Sequence, residues 1–258
     1  MVNFLAHLHD STTSVSTARV YLSALNNSHV EAGLPSPTAS EVVTMAIRGF
    51  QRSAPPTADR RLPITMDIMR QLKTRIHDSA MHDSDKAAYW CGFTIAFFGY
   101  LRVSELAATS NNQRHGLRMR DVSIVQDQLV LSLPHSKTDQ FGHGYQVQLP
   151  KTGRSVCPVK AFQRYLTARR TNSEFLLVLS SGTLMTRKHI ESTLKSLLSD
   201  HPLKDRFNTH SFRIGAATTA ASGGTPAEEI QASGRWKSNC FVSYVRDSLP
   251  IKGLNAYK

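Results

Sequence analysis

A histidine and an arginine lie three positions apart in residues 209–224, THSFRIGAATTAASGG. We expect Thr209 to cap a helix whose first turns place His210 and Arg213 on one face. An imidazole and a guanidinium at a helix N-terminus form a receptor for phosphate, because free backbone N–H groups and the helix dipole add to the positive field. The H-x-x-R spacing alone also fits an exposed polar pair, so the neighbouring segments must decide between the two interpretations.

The segments that follow add a candidate nucleophile. Residues 225–234, TPAEEIQASG, have the signals of a helix, with Thr225 as the cap, Pro226 at the first position and a closing Gly234. That helix leads into GRWKSNCFVSYVRD, in which Tyr244 follows Trp236 by eight residues. A phenol can attack phosphorus and form a covalent ester. The alternative is that Tyr244 only packs on an amphipathic helix.

Two upstream segments carry further cationic groups. Arg102 lies in FFGYLRVSEL, and Lys137 lies in HSKTD, near the tip of a predicted hairpin. A guanidinium stays charged and its planar fork matches two phosphate oxygens, whereas an ammonium can protonate a departing oxygen. The competing interpretations are an ion pair between Arg102 and Glu105, one helical turn away, and a solvated surface lysine.

Taken in order, these segments resemble the tyrosine recombinase (phage integrase-like) family, especially the members encoded by eukaryotic mobile elements. The segments HSFRIGAAT, GRWKS and CFVSYVRD are similar to the family's C-terminal signature. FFGYLRVSEL is similar to its first-arginine segment, and HSKTD to the segment of its β-hairpin lysine. The N-terminal STARVYLSAL resembles the family's helical core-binding domain, so the resemblance covers nearly all of the chain.

The resemblance implies a role for each of these residues. Tyr244 is the expected nucleophile, Lys137 the general acid for the departing 5′ oxygen, and Lys151 a weaker alternative to Lys137. The other expected site residues act on the phosphate or support those that do: Arg102, Arg213, His210, Trp236 and Glu105. Trp236 occupies the place where many members have histidine, and it either donates its indole N–H or belongs to the core.

Two departures from the family's pattern accompany the resemblance. The interval from Trp236 to Tyr244 is one residue shorter than is usual in bacterial members. The N-terminal portion is short for a complete core-binding domain, and the helix expected before STARVYLSAL is absent or replaced by MVNFLAHLHD.

The composition supports a polyanionic partner. Lys and Arg total 31 against 19 Asp and Glu, a formal net charge of +12, which attracts nucleic acids. The resemblance narrows the partner to double-stranded DNA and implies a homo-oligomer, a tetramer on paired sites. Three widely spaced cysteines predict a reducing compartment, and no run of residues is apolar enough to span a membrane. We therefore expect an intracellular protein, nuclear if the host is eukaryotic.

The expected fold is mostly α with a small antiparallel β-sheet, divided into two domains. Residues 1–54 form an incomplete helical core-binding domain, residues 55–62 a proline-rich linker, and residues 63–258 the catalytic domain. Helical patterns dominate, and RMRDVSIV, QLVLSLP and GYQVQLP are the predicted strands.

Three functions remain open at this point. The first is a site-specific recombinase that cleaves and rejoins DNA through a 3′-phosphotyrosyl intermediate, without cofactor or metal. This chemistry fits the sequence, which has neither a P-loop nor a carboxylate cluster for divalent ions. The second is a recombinase-derived protein that binds DNA without cutting it. The third is a nicking-closing enzyme similar to type IB topoisomerases.

Overall fold

The computed structural model describes residues 1–11, 13–54, 61–108, 116–134 and 144–246. The chain divides into two compact units, Met1–Asp59 and Arg60–Lys258. The described residues are mainly helical, with one small sheet, as the sequence predicts.

The first unit contains three helices, α1 (Val2–Asp10), α2 (Val15–Glu31) and α3 (Glu41–Ser53). Serine side chains cap the last two of these helices, Ser14 for α2 and Ser40 for α3. The helices meet in a small apolar core of six buried residues: Leu5, Leu8, Ala18, Val43, Ile47 and Phe50. MVNFLAHLHD is thus a helix that contributes to this core.

The second unit contains seven further helices among its described residues: α4 (Met66–Asp78), α5 (Asp83–Phe98), α6 (Val103–Leu106), α7 (Pro158–Ala168), α8 (Arg187–Leu197), α9 (His210–Ser222) and α10 (Ala227–Ser233). Short 3₁₀ helices lie at Met119–Asp121, Lys204–Arg206 and Asn239–Tyr244.

Helix α5 is the centre of this unit. Twelve of its residues are buried, which fits the nearly continuous apolar run in the sequence. It packs against α7 and α9, and the Phe93 ring lies 4.9 Å from that of Phe212 on α9. Because α5 is fixed on two sides, the residues that follow its C-terminal end have defined positions.

The sheet consists of β1 (Val122–Val125), β2 (Gln128–Leu133) and β3 (Tyr145–Pro150) in the order β1-β2-β3. Both pairings are antiparallel, and Leu133 on β2 faces Tyr145 on β3. Buried residues alternate along β2 and β3, so one face of the sheet packs on the core.

Helix α9 begins differently from the prediction. Thr209 occupies the cap position but makes no side-chain cap bond, and its hydroxyl donates to Glu191 at 3.4 Å. The Oδ1 of Asn208 instead accepts from the backbone N–H of His210 at 2.9 Å. The predicted Thr225 cap of α10 is also absent, since Pro226 is the cap residue and α10 begins without a side-chain cap.

No helix in the described part of the chain is long and apolar enough to cross a membrane.

Candidate active site

Helices α5 and α10 end in the same kind of turn, shortly before Arg102 and Trp236. After α5, the N–H groups of Tyr100 and Leu101 donate to Phe97 and Ala96, and after α10 those of Arg235 and Trp236 donate to Ala232 and Gln231. This is the Schellman arrangement, which requires a left-handed residue and usually has glycine there. Here Tyr100 (φ 49°) and Arg235 (φ 57°) fill that position. Because Arg102 and Trp236 follow within two residues, these turns determine where both residues lie.

Arg213 ties these two turns together. Its Nη1 donates to the carbonyl of Tyr100, and its Nη2 donates to the carbonyl of Gly234 at 2.6 Å. The side chain has no solvent exposure. Burial, and then repulsion by Arg102 and Arg235, lowers the pKa of Arg213 to about 10. The group is therefore a buried cation at neutral pH, held by backbone carbonyls.

Glu105 binds two further guanidinium groups, those of Arg102 and Arg235. Its Oε1 accepts from Nη1 of Arg102 at 3.0 Å, and its Oε2 accepts from Nη2 of Arg235 at 2.9 Å. Oε2 also accepts from the backbone N–H of Arg102 at 2.9 Å. The ion pair between Arg102 and Glu105, the alternative to a phosphate-binding Arg102, is thus present, and the same carboxylate also binds Arg235. The Glu105 side chain is only 3% exposed, so these bonds hold both arginines.

Arg235 is a residue that the sequence reasoning missed. Its Nη1 donates to the carbonyl of Gly99 at 3.0 Å, and its guanidinium lies 5.6 Å from the ring centroid of Tyr145 on β3. Burial lowers the pKa of Arg235, while the charge of Glu105 acts in the opposite direction. The sequence feature that could have identified Arg235 is its position directly before Trp236, within GRWKS.

Tyr244 ends the 3₁₀ helix Asn239–Tyr244 and lies beside α9. Thr218 on α9 holds the backbone there: its hydroxyl donates to the carbonyl of Tyr244 at 3.3 Å and accepts from the N–H of Arg246 at 3.2 Å. The Tyr244 residue is partly exposed. Sequence reasoning did not identify Thr218, which is one of two adjacent threonines in α9.

Three of the expected site residues surround the Tyr244 ring. Ring centroids lie 4.9 Å from Trp236 and 5.1 Å from His210, and the Arg213 guanidinium lies 5.6 Å away. Arg102 is connected to this group in two ways. Its partner Glu105 also binds Arg235, and Arg213 binds the carbonyl of Tyr100, two residues before Arg102. Residues that are up to 142 positions apart in the chain, from 102 to 244, are thus brought together.

Trp236 is buried as a core residue would be, and its indole N–H keeps the donor role open. Its ring is 7% exposed and covers the Arg213 guanidinium at 4.4 Å, as a core residue would. No described residue accepts a hydrogen bond from its Nε1 or from the Nε of Arg213. Buried donors usually have partners, and these two belong to residues that lie beside the Tyr244 ring.

Gly234 is required for this packing. A Cβ at Gly234 would lie 1.6 Å from the Trp236 ring. Its φ is an ordinary −82°, so the glycine is needed for space and not for a left-handed backbone.

The two candidate lysines differ in what can be described. Lys137 lies outside the described residues. Lys151 donates to Asp127 at 3.0 Å, next to the end of the sheet where Pro150 faces Gln128. Lys151 is six positions, or roughly 20 Å of strand, from Tyr145, the residue that contacts Arg235.

A pocket of about 250 Å³ adjoins the site. Arg102 and His210 line it together with Arg61, Val103, Ser104, Ala107, Arg187, Asn208 and Thr209. None of the described residues that line the pocket is acidic. Among the described residues, no group of three or more His, Cys, Asp or Glu side chains is placed to hold a metal ion.

Two proteins with similar sequences are both recombinases. An integrase/recombinase XerD homolog of Selenomonas ruminantium is 25% identical over 254 residues, covering 94% of this chain and 71% of that protein. The Cre recombinase of Escherichia phage P1 is 23% identical, covering 95% of this chain and 74% of that protein. No family model matches the chain.

Two solved structures with the same fold are both integrases bound to DNA. The Tn1549 transposon integrase in complex with transposon right end DNA matches with a TM-score of 0.66 at 15% identity, covering 96% of this chain and 80% of that one. A lambda integrase dimer bound to a core site matches with a TM-score of 0.56 at 16% identity, covering 97% and 82%. The predicted fold class is confirmed.

Proposed function

We propose that this chain, a tyrosine recombinase by its fold and its sequence relatives, cleaves and rejoins double-stranded DNA at specific sites through a 3′-phosphotyrosyl bond on Tyr244. The observation that carries the proposal is the group around the Tyr244 ring. A buried guanidinium, an imidazole and an indole N–H without a described acceptor all lie beside one partly exposed phenol.

In the first half of the reaction, the phenol oxygen of Tyr244 attacks phosphorus and the bond to the 5′ oxygen breaks. Negative charge grows on the non-bridging oxygens, and preorganised donors on Arg102, Arg213 and Trp236 stabilise it. His210 takes the phenol proton, since an imidazole changes charge near neutral pH. Lys137 gives a proton to the departing 5′ oxygen.

The second half reverses these steps with a 5′ hydroxyl from another strand. The phosphotyrosyl ester retains the energy of the broken bond, so rejoining needs no further energy source. The cations that stabilise the transition state belong to the protein, and we propose that neither metal nor cofactor takes part.

Positioning residues support the reacting groups. Glu105 holds Arg102 and Arg235, and Thr218 fixes the backbone of Tyr244. For the general acid we retain Lys137 over Lys151. The reason is that Lys137 lies between Leu133 and Tyr145 in the chain, and these two residues pair at the end of the sheet where Tyr145 lies beside Arg235.

The wider assembly is part of the proposal. Residues 1–54 act as a core-binding domain that binds duplex DNA, and four copies act on paired sites. The motifs GRWKS and CFVSYVRD support a place closest to recombinases of eukaryotic mobile elements, which would act in the nucleus. The relatives that the comparisons found come from bacteria and a phage.

The test uses a pool of nicked duplexes with randomised sequence around the nick, because the target sequence is not specified in advance. After cleavage, the short strand between the cut and the nick carries the free 5′ hydroxyl and diffuses away. The covalent complex then cannot rejoin the DNA and is trapped. We expect the unchanged protein to form an adduct that survives a denaturing gel. Tyr244→Phe should form none while binding the same duplexes with equal affinity.

The other functions predict different results. A binding protein gives equal affinities and no adduct with either form. A nicking-closing enzyme relaxes supercoiled plasmid carrying one copy of the selected sequence and does not recombine two copies. Recombinant products that require two copies would exclude both.

A further inference from the structure

The pocket beside Arg102 and His210 contains two guanidinium groups that the proposed reaction does not use, Arg61 and Arg187. We infer that Arg61 and Arg187 bind the DNA phosphate next to the scissile one, on the same strand. This inference rests on the proposed function for the identity of the first phosphate. It adds a second anion subsite to the first.

The charge of the pocket supports an anion. Three arginines and one histidine line a space of about 250 Å³, and no acidic residue is among its described lining. Glu105 and Glu191, which pair with Arg102 and Arg187, are not among the described lining residues, so the pocket presents cationic groups and no carboxylate to an anion. Ser104, Thr209 and Asn208 add polar groups to the same wall.

Arg187 is positioned for this task. Its Nε donates to Oε1 of Glu191, one turn along α8, at 3.0 Å. The same Glu191 oxygen accepts from the hydroxyl of Thr209 at 3.4 Å, directly before His210. Glu191 therefore joins the Arg187 side chain to the start of α9, the helix that carries His210 and Arg213. The bond uses Nε, which leaves the Nη end of the guanidinium as the part that extends furthest.

The spacing of DNA supports the same assignment. One strand carries a phosphate every 3.4 Å or so along the helix axis, so a phosphate at Arg102 has a neighbour one nucleotide away. Arg61 and Arg187 line the same pocket as Arg102 and His210. A second phosphate held there fixes the strand on one side of the scissile bond, which aligns the phosphorus with the nucleophile.

The experiment measures binding in the Tyr244→Phe background, so it needs no cleavage. The probe is a fluorescent duplex selected for tight binding from a randomised pool. Each phosphate contact contributes about 0.9 to the slope of log affinity against log salt. We expect Arg187→Ala and Arg61→Ala each to reduce the slope by about that amount.

Arg70→Ala is the matched control. Arg70 is 53% exposed and pairs with Asp67 on its own helix, much as Arg187 is 55% exposed and pairs with Glu191. The two substitutions remove the same charge, but Arg70 lies outside the pocket. Its slope should equal that of the parent, and thermal unfolding of all three variants should show that each is folded.

A scan with single neutral methylphosphonates then locates the contact. The parent should lose affinity when the neutral group replaces either of two adjacent phosphates. Arg102→Ala should become indifferent to one of them and Arg187→Ala to the next.

Three results would overturn the inference. The slope for Arg187→Ala could match that for Arg70→Ala, or its indifferent position could lie several nucleotides from that of Arg102→Ala. The third is an unchanged slope with relaxed preference at one base pair, which would place Arg187 on a base edge. If the parent protein binds DNA but forms no Tyr244 adduct, the proposed reaction fails while these binding results still decide the second subsite.

Discussion

Arg213 has no exposed surface, and both of its Nη atoms already donate to backbone carbonyls. Its contribution to a bound phosphate therefore comes from a fixed positive charge and from the donors that remain, Nε among them. A charge fixed before the substrate arrives needs no reorganisation during the reaction, which is the most effective form of electrostatic stabilisation.

Trp236 gives the first prediction, which separates hydrogen bonding from packing. Trp236→Phe keeps a ring over Arg213 but removes the N–H. We expect the rate of adduct formation to fall by about 10²-fold, the usual effect of losing one donor to a developing oxyanion. Trp236→His, which keeps a donor, should retain more activity than the phenylalanine variant. Equal rates for Trp236→Phe and the parent would assign the residue to packing alone.

Arg235 gives the second prediction. Arg235→Ala removes the charge-assisted bond to Glu105 and frees that carboxylate to draw Arg102 away from the phosphate. A loss of about 1.5–3 kcal/mol corresponds to a rate roughly 10- to 100-fold lower. The measurement is the single-turnover rate of adduct formation at saturating DNA.

Arg235→Gly is the control for backbone strain. Glycine at this left-handed position should make the protein more stable than the alanine variant by about 1 kcal/mol. The two variants should nevertheless be equally slow. If the glycine variant reacted at the parent rate, backbone strain and not the guanidinium would be the important feature.

At the scale of residues, sequence reasoning reached the groups that lie in local motifs. His210 and Arg213 were predictable because they share one helix turn, and Tyr244 because it follows a recognisable segment. Arg235 and Thr218 were not, because their partners Glu105 and Tyr244 lie 130 and 26 positions away. A glutamate such as Glu191 joins two elements only after the chain has folded.

Among the elements, the ends of the helices position the site more than their lengths do. The turns after α5 and α10 both carry a left-handed residue with a side chain, Tyr100 and Arg235, which costs about 1–2 kcal/mol at each position. Strain of this kind persists where the surroundings fix the backbone. Arg213 does so here, by binding a carbonyl in each turn.

Gly215 gives a prediction at this scale. The segment before α4 lies against α9, where the N–H of Ile64 donates to the carbonyl of Ser211 at 3.0 Å. A Cβ at Gly215 would lie 1.8 Å from the carbonyl oxygen of Ile64. We expect Gly215→Ala to lower the free energy of unfolding by at least about 1–3 kcal/mol, because backbone must move. Thermal and urea unfolding measure this effect.

Gly49→Ala is the comparison variant. Gly49 also lies within a helix, but a Cβ there meets nothing within 4 Å. Alanine should therefore be neutral or stabilising by up to about 1 kcal/mol. Similar destabilisation by both substitutions would mean that α9 does not pack as described.

Elements were predicted better than their ends. Apolar periodicity identifies the amphipathic helices and the continuous apolar run identifies α5, because burial follows directly from these patterns. The cap bonds predicted for Thr209 and Thr225 are absent, since Thr209 takes the cap position without one and Pro226 is the cap residue of α10. Thr209 bonds Glu191, an acceptor that local sequence does not reveal.

Across the whole molecule, a formal charge of +12 on 258 residues predicts that binding to DNA depends strongly on salt. A protein with six to ten phosphate contacts loses about 10³–10⁵ in affinity between about 50 and 200 mM salt. We expect this protein to fall in that range, measured by fluorescence anisotropy with the Tyr244→Phe form. An affinity that changed less than about tenfold would argue against an extended DNA surface.

The division into two units was suggested by Pro55, Pro56 and Pro63, whereas the way in which distant segments assemble was not readable from composition. The resemblance to a family supplied that step. The structure supplies the contacts within the second unit by which residues from 102 to 244 meet.

The most direct test of the account is to identify the amino acid that becomes linked to DNA. The adduct from the nicked pool is digested with protease and nuclease, and the peptide that keeps a nucleotide is sequenced by mass spectrometry. The account predicts a 3′-nucleotide on the peptide that contains Tyr244, attached to the tyrosine. A nucleotide on any other residue, or strand cleavage without a protein-linked nucleotide, would contradict it.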